Sequence, residues 1–283
     1  MRSTTGSIPS LTDEEYMLLN ELLEEHFGLQ FPAHKRNVLS NRLRPRLALL
    51  RLNSFLEYYH VLQADGARER ERLANLVTNN ETYFFRERYQ FEALFGGAVD
   101  GLRDNVVVPG LLRILCAGSS SGEEAYTLGF YAADHAAQLG DVQVRVDGFD
   151  LDTERVAIAN RGEYRRRSLR DMDRNQIDSY LECQSEEWYR VRDEFRGGIA
   201  FRHGNIVDQA SYRQPFRYDV VFCRNALIYF SRRALVRAIE NFAAVLRPGG
   251  LLFLGHAESI IGLSDSFETA RFDHCLAYRR TAK

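Results

Sequence analysis

The chain has 283 residues, with 37 Lys and Arg against 39 Asp and Glu, 45% hydrophobic and 12% aromatic residues, 20 Gly, 6 Pro and 4 Cys. This composition allows one large or two unequal domains, each with its own core, and excludes disordered, collagen-like and disulfide-scaffold chains. A net charge of −2 excludes a wholly basic coat for nucleic acid, although balanced totals can conceal a local patch.

Residues 1–10 are small and polar, and no apolar stretch follows Arg2 to make a signal peptide. No apolar run approaches the roughly 18 residues of a membrane span. Cys116, Cys183, Cys223 and Cys275 are widely spaced, without CxxC pairs or clustered His. The expectation is a reduced, cytoplasmic protein with neither a zinc site nor a disulfide framework.

Thr12-Asp13-Glu14-Glu15 is a capping box, and Tyr16, Leu19, Leu22, Leu23 and Phe27 recur at helical spacing until Gly28. Ser54 and Glu57 repeat the box before Tyr58, Tyr59 and Leu62, with an end near Gly66; Leu73, Leu76 and Val77 suggest a further helix. No strand pattern precedes residue 85. Short apolar runs then stand at 111–116, 142–149, 199–201, 218–223 and 251–254, with helical stretches at 123–138, 153–161 and 232–246 between them. This alternation predicts a doubly wound α/β domain with a parallel sheet. The segments 267–272 and 275–280 have no helix between them and predict an antiparallel hairpin at the sheet edge. The polar stretch 162–198 holds enough apolar residues for a small packed insert.

Ligands of open α/β sheets lie beyond the carboxyl ends of the strands, so the turn after the first strand, residues 116–124, is where a ligand is expected. Its Gly118, the serines and Gly122 match neither GxGxxG nor a Walker A loop, and Glu123 and Glu124 would repel a phosphate. Asp150 and Asp152 end the second strand, where a carboxylate accepts ribose hydroxyls. A ribose without phosphates points to S-adenosylmethionine. The competing reading makes Glu123 and Glu124 a helix-start charge pair and Asp152 an N-cap. The terminal hairpin favours a methyltransferase sheet over a dehydrogenase.

Several segments resemble the CheR family of chemoreceptor glutamate methyltransferases. Asn79 to Arg86 (NNETYFFR) resembles that family's N-x-T-x-F-F-R segment, and Ala117 to Tyr126 its Gly-Glu-Glu turn. Phe149 to Thr153, the CRNALIYF stretch at 223–230 and Leu251 to Glu258 resemble its later motifs. The match runs in order from about residue 12 to the end. It implies an all-α domain over 1–85, a linker over 86–110, and a Rossmann-like methyltransferase domain over 111–283. That domain would carry the antiparallel closing hairpin and a small antiparallel β-subdomain at about 162–198. It also implies S-adenosyl-L-methionine as cofactor, S-adenosyl-L-homocysteine as product, and no metal. By motif match, cofactor contacts fall on Asn80, Thr82, Arg86, Glu124, Asp150, Asn205, Ile206, Arg224 and Asn225. The partners implied are the cytoplasmic methylation helices of chemoreceptors, in adaptation, with no nucleic acid, no membrane insertion and, for want of a heptad repeat, a monomer.

The family reaction makes a glutamate methyl ester. A glutamate is already anionic at neutral pH, so no general base is needed, and the site must orient the acceptor and exclude water. Arg86 is expected to position a carboxylate and Tyr229 to hydrogen-bond near the transferring methyl. The bland alternatives are that Arg86 pairs with Glu81, Glu87 or Glu92, that Tyr229 is a core aromatic, and that Arg224 anchors its loop. His256 and Glu258 are expected to form a satisfied polar pair. A catalytically silent S-adenosylmethionine-binding module is the rival at the level of function.

Lys35, Arg36, Arg42, Arg44, Arg46 and Arg51 stand in a stretch free of acids, with Arg42 and Arg46 on one helical face. The resemblance makes Arg42, Arg44 and Arg46 a receptor-docking surface. Pro45 is expected to kink or restart this helix, and Ala48 stands where the family pattern has a base. The turn at 183–187 lacks glycine and carries Glu186 and Glu187, and the insert looks shorter than in relatives that grip a receptor's C-terminal peptide. Independence of such a tether is therefore expected.

Overall fold

The computed structural model describes residues 10–64, 66–103, 106, 108–212 and 218–282; the signal-peptide expectation falls on residues that lie mostly outside them. The chain divides into two compact units, Met1–Asn79 with Tyr229–Leu235, and Asn80–Ile228 with Val236–Lys283.

The first unit is helical. In α1 (Asp13–Phe27) the Thr12 hydroxyl accepts from the Glu15 N–H at 3.2 Å and the Glu15 carboxylate accepts from the Thr12 N–H at 2.8 Å, as the capping box requires. The other Glu15 oxygen accepts from the Leu56 N–H at 2.9 Å, so one buried carboxylate serves two helix starts. Gly28, at φ 76, ends α1. In α2 (Arg36–Leu50), Leu39, Leu43 and Leu47 recur every fourth residue and are fully buried. Of the kink or restart expected at Pro45, the restart does not occur: α2 runs through Pro45. Asn41 and Pro45 are both exposed, so the carbonyl deprived of its donor can meet water. The helix expected to end near Gly66 does so: α3 (Phe55–Ala64) stops at Ala64, and Gly66 opens α4 (Gly66–Val77), with Phe55, Tyr58, Leu62 and Leu73 fully buried. The return segment joins this unit by backbone bonds from the Gln30 N–H to the Tyr229 carbonyl (2.9 Å) and from the Ser231 N–H to the Gly28 carbonyl (3.1 Å).

The second unit opens with α5 (Tyr89–Ala93), a π-turn at Leu94–Ala98 and α6 (Val99–Arg103). Where a boundary at 85 and a linker over 86–110 are expected, the contacts divide the chain after Asn79, and Phe91, Leu94 and Phe95 are fully buried. Their size explains the difference: Phe91 stacks on Phe222, which stacks on Phe253 at 4.6 Å. There follow β1 (Leu111–Ala117), α7 (Glu123–Asp134), α8 (Ala136–Leu139), β2 (Gln143–Asp150) and α9 (Thr153–Arg161). The helix expected over 123–138 breaks at His135. The insert supplies β3 (Glu163–Arg165), α10 (Arg174–Tyr180), β4 (Leu181–Cys183) and β5 (Trp188–Val191), with the strands in an antiparallel sheet of order β3-β5-β4. The chain continues through β6 (Ile199–His203), β7 (Tyr218–Cys223), α11 (Arg232–Val245), β8 (Leu246–Leu254), β9 (Phe267–Phe272) and β10 (Cys275–Arg280).

The main sheet has the order β6-β2-β1-β7-β8-β10-β9. Its first five strands are parallel, and β10 and β9 close one edge as the expected hairpin, antiparallel throughout. β7 is buried at every position, as a strand covered on both faces must be. β8 starts five residues earlier than its apolar run, past a register shift opposite Tyr218 and Val220. Among the described residues no helix is long and apolar enough to cross a membrane.

Candidate active site

The order of the sheet brings the carboxyl ends of β1, β2, β6 and β7 side by side, and most of the expected cofactor residues follow these ends. Gly118, at φ 81, turns the chain out of β1; a Cβ there would stand 3.3 Å from the Ala226 Cβ and 3.4 Å from the Ile206 Cδ1. The turns after β1, β6 and β7 therefore meet at this glycine. Gly122, at φ 94, opens α7, and a Cβ there would press on Phe201 at 2.8 Å. Between them the Ser119 and Ser120 hydroxyls are buried without a hydrogen-bond partner.

Asp150 is buried at the end of β2 and accepts from the backbone N–H groups of Ser120 (2.6 Å) and Asp152 (2.9 Å). Burial pushes its pKa up to about 6, against those two bonds. Asp152 is the N-cap of α9, accepting from Glu154 and Arg155, and its second oxygen accepts from the Asn80 Nδ2 at 2.6 Å. Asp150 therefore closes the β2 end through backbone bonds, while Asp152 ties residue 80 to the same strand end.

Arg224 is buried and committed to the protein. Its Nε donates to Glu124 at 2.6 Å, one terminal nitrogen to Gln90 at 3.2 Å, and the other to the Arg86 carbonyl at 2.7 Å. The anchoring alternative for Arg224 fits this geometry, and Glu124 is its counter-ion. Asn225, at φ 58, turns its Nδ2 to Glu87 at 3.3 Å, so its amide faces a carboxylate of the chain rather than an open edge. Glu258 holds this turn by accepting from the N–H groups of Gly255, Asn225, Leu227 and Ile228. Burial raises its pKa despite those bonds. His256 meets Glu87 at 3.1 Å instead of Glu258, so the expected His256–Glu258 pair does not form. For Glu87, burial is outweighed by the Arg224 charge and by bonds from His256 and Asn225, and its pKa is lowered.

Asn205 accepts from the Val207 N–H at 3.1 Å in an Asx turn after β6, with Ile206 buried beside Gly118. Thr82 and Asn80 line a cavity of about 300 Å³ with Ser121 and Glu123. Glu123, the neighbour that the motif match leaves open beside Glu124, is the more deeply buried of the two glutamates and accepts from the Ser121 and Ser168 hydroxyls at 2.8 and 3.0 Å. Ser168 lies 45 residues away in the insert, and no local pattern signals that pairing.

The two residues expected at the methyl-transfer step fall in different units. Arg86 is half-buried; it donates to the Glu81 carbonyl at 2.7 Å and stands over the Tyr83 ring, and it pairs with none of Glu81, Glu87 and Glu92. Tyr229 belongs to the helical unit, where its hydroxyl accepts from Asn79 and Lys35 lies 5.6 Å from its ring. In the same unit Arg46 is turned inward: it makes a two-point pair with Glu69, whose other neighbours include the Tyr58 hydroxyl at 3.0 Å. Arg42 donates to the Val77 and Thr78 carbonyls at the end of α4. Of the three expected docking residues, Arg46 is therefore spent on the fold.

The strand-end turns fit a cationic nucleoside. Small residues allow close approach, Asp150 accepts hydroxyls, and the orphaned Ser119 and Ser120 hydroxyls lack partners that a ligand would supply. Among the described residues no cluster of His, Cys, Asp and Glu is placed to hold a metal ion.

Residues 14–78 match the family model described as CheR methyltransferase, all-alpha domain, and residues 80–276 match that of the CheR methyltransferase, SAM binding domain. The chain is 33% identical to chemotaxis protein methyltransferase 2 of Vibrio cholerae over 96% of its own length and 95% of the relative's. It is 32% identical to the chemotaxis protein methyltransferase of Klebsiella aerogenes, covering 91% of this chain and 87% of that one. The same holds for the Escherichia coli protein of that name, at 32% identity over 91% and 88%.

Proposed function

Because the chain belongs to the CheR family of S-adenosylmethionine-dependent methyltransferases of chemotaxis, we propose that it esterifies glutamate side chains of a chemoreceptor's cytoplasmic methylation helices. The observation that carries this reading is Arg86: it spends a single donor on the chain, at the Glu81 carbonyl, and its remaining donors suit a carboxylate in two-point geometry. S-adenosylmethionine, when bound, supplies an electrophilic methyl group on a sulfonium. Asp150, the Gly118 turn and the two serine hydroxyls hold the nucleoside end. Arg224 fixes Glu124 and the Arg86 backbone. Arg86 orients the acceptor carboxylate, which is ionised without help from a base. Tyr229, whose hydroxyl accepts from Asn79, is the second residue this reading assigns to the transfer step. Arg42 and Arg44, half-exposed on α2, meet the acidic receptor helix, and the enzyme works in the cytoplasm as a monomer.

Radiolabelled S-adenosylmethionine with receptor cytoplasmic domains should give a base-labile methyl ester. Arg86→Ala and Tyr229→Phe should each lower the rate at saturating cofactor by about 10- to 100-fold. Wild-type rates in both variants would remove the two residues from the mechanism. The turn between β4 and β5, closed by bonds from the Gln184 and Ser185 N–H groups to the Trp188 carbonyl, carries two acidic residues. The same assay should therefore be indifferent to an added receptor tail peptide.

Asp150 gives the reaction a pH dependence. With a pKa near 6 it is ionised at pH 7.5 and mostly protonated at pH 5, so the cofactor's dissociation constant should rise about tenfold across that interval. The Asp150→Asn variant should bind weakly and without that slope, as titration calorimetry would show. Folding runs the opposite way: a raised carboxyl pKa favours the folded state below about 3.8, and that contribution is lost as pH rises through 6.

A further inference from the structure

The cavity beside Asn80 and Thr82 is lined on its other sides by Ser121, Glu123, Arg155, Arg167, Ser168 and Arg170. Arg155 lies in the first turn of α9, Arg167 within the short 3-10 turn after β3, and Arg170 directly after that turn. The guanidinium groups of Arg155 and Arg167 make no hydrogen bond or ion pair with the described residues. Arg170 reaches Glu81 at 3.0 Å and lies 3.6 Å from the Tyr83 ring centre. Three arginines therefore line one opening; two of them spend no donor on a described residue, although the Arg155 charge acts on Glu123 and Asp150. Such donors call for oxygen acceptors carrying negative charge.

The basic character does not stop at the cavity. Arg161, Arg165, Arg166, Arg167 and Arg170 are all exposed, and within 161–170 they are opposed only by Glu163. A strip of this length suits an extended polyanion better than a small ion. The two carboxylates among the lining residues, Glu81 and Glu123, also disfavour a doubly charged phosphate more than single carboxylates.

We propose that this cavity and its basic rim hold a second carboxylate of the acceptor segment, one flanking the glutamate that is methylated, and so help to select acidic sequences. The inference rests on the reading of the chain as a protein-glutamate methyltransferase and adds a recognition site to it. Arg155 and Arg167 are its specificity residues; neither touches the reacting atoms.

Initial rates measured against receptor concentration test it. Arg167→Glu should raise the receptor KM at least tenfold with kcat within twofold, Arg167→Lys should restore most of the loss, and Arg155→Gln should raise KM severalfold. S-adenosylmethionine affinity, measured by calorimetry, should change less than twofold in both Arg167 variants. A receptor KM within twofold of wild type for Arg167→Glu overturns the proposal. So does a matching loss of cofactor affinity, which would assign the cavity to the cofactor. A separate arm needs no turnover: hexaglutamate should bind the wild-type protein in a salt-sensitive manner and bind Arg167→Glu at least fivefold more weakly. Equal binding to both proteins, or binding of inorganic phosphate that displaces the peptide completely, counts against an acidic segment. If no receptor is methylated by wild type while hexaglutamate still distinguishes the variants, the methyltransferase substrate is wrong and the acidic-segment site stands.

Discussion

Arg46→Glu will unfold the helical unit rather than weaken receptor docking. Arg46 and Glu69 are both nearly inaccessible, with side-chain exposures of 10% and 2%, and the Tyr58 hydroxyl joins the same carboxylate. Burial raises the Glu69 pKa, but Arg46 and Tyr58 together hold it below its usual value. Removing one partner of a buried ion pair costs about 3–5 kcal/mol, because the remaining charge stays desolvated and uncompensated. Reversal does more, since it places a second carboxylate against the first. Amide hydrogen exchange should show lost protection across α2, α3 and α4. Arg42→Glu, which only removes bonds to the last carbonyls of α4, should lose much less. A variant with Arg46 reversed, normal exchange protection and reduced receptor methylation would return Arg46 to the docking surface. Exchange distinguishes the two outcomes, and methylation alone would not.

Arg224→Leu is expected to cost about 3–5 kcal/mol for the same reason. Glu124 would lose its counter-ion, and the Gln90 side chain and the Arg86 carbonyl would lose their donors. At roughly 2–4 °C per kcal/mol for a chain of this size, the thermal midpoint should fall by about 10 °C. The double variant Arg224→Leu with Glu124→Leu should recover part of that loss, since no lone charge remains buried. Unchanged thermal stability combined with a large loss of cofactor affinity would instead make Arg224 a direct contact.

These two arginines show where the sequence stops being informative. The terminal hairpin was legible to the residue, because two apolar runs without a helix between them have one simple arrangement. The parallel strands were legible for a similar reason: short apolar runs such as 251–254, set between helical stretches, fit strands covered on both faces. Arg42, Arg44 and Arg46 look alike in a stretch without acids. Which one turns inward is decided by Glu69, on another helix 23 residues away. Residues 86–110 were expected to be a linker from the family resemblance alone. Their three large apolar side chains fill the core through a π-turn that no simple period describes.

At the site, the residue types and their strand ends could be anticipated, while their pairing could not. Asp150, Ile206 and Gly118 stand where a Rossmann-like sheet puts them. Asn225 and Arg224 face acids of the chain, Glu87 and Glu124, that come from distant segments. The choice between Glu123 and Glu124 could not be made from sequence, because the Ser168 hydroxyl that pairs with Glu123 belongs to the insert.

The helical unit is also discontinuous in sequence, since residues 229–235 complete it. A chimera made by exchanging the first 79 residues between relatives would therefore carry a foreign closing segment. The Gln30 N–H and the Gly28 carbonyl would have to find their partners in a backbone that evolved against another helix end. Transplanted recognition should require both pieces of chain to travel together, and sequence changes in the two pieces should be inherited as a pair.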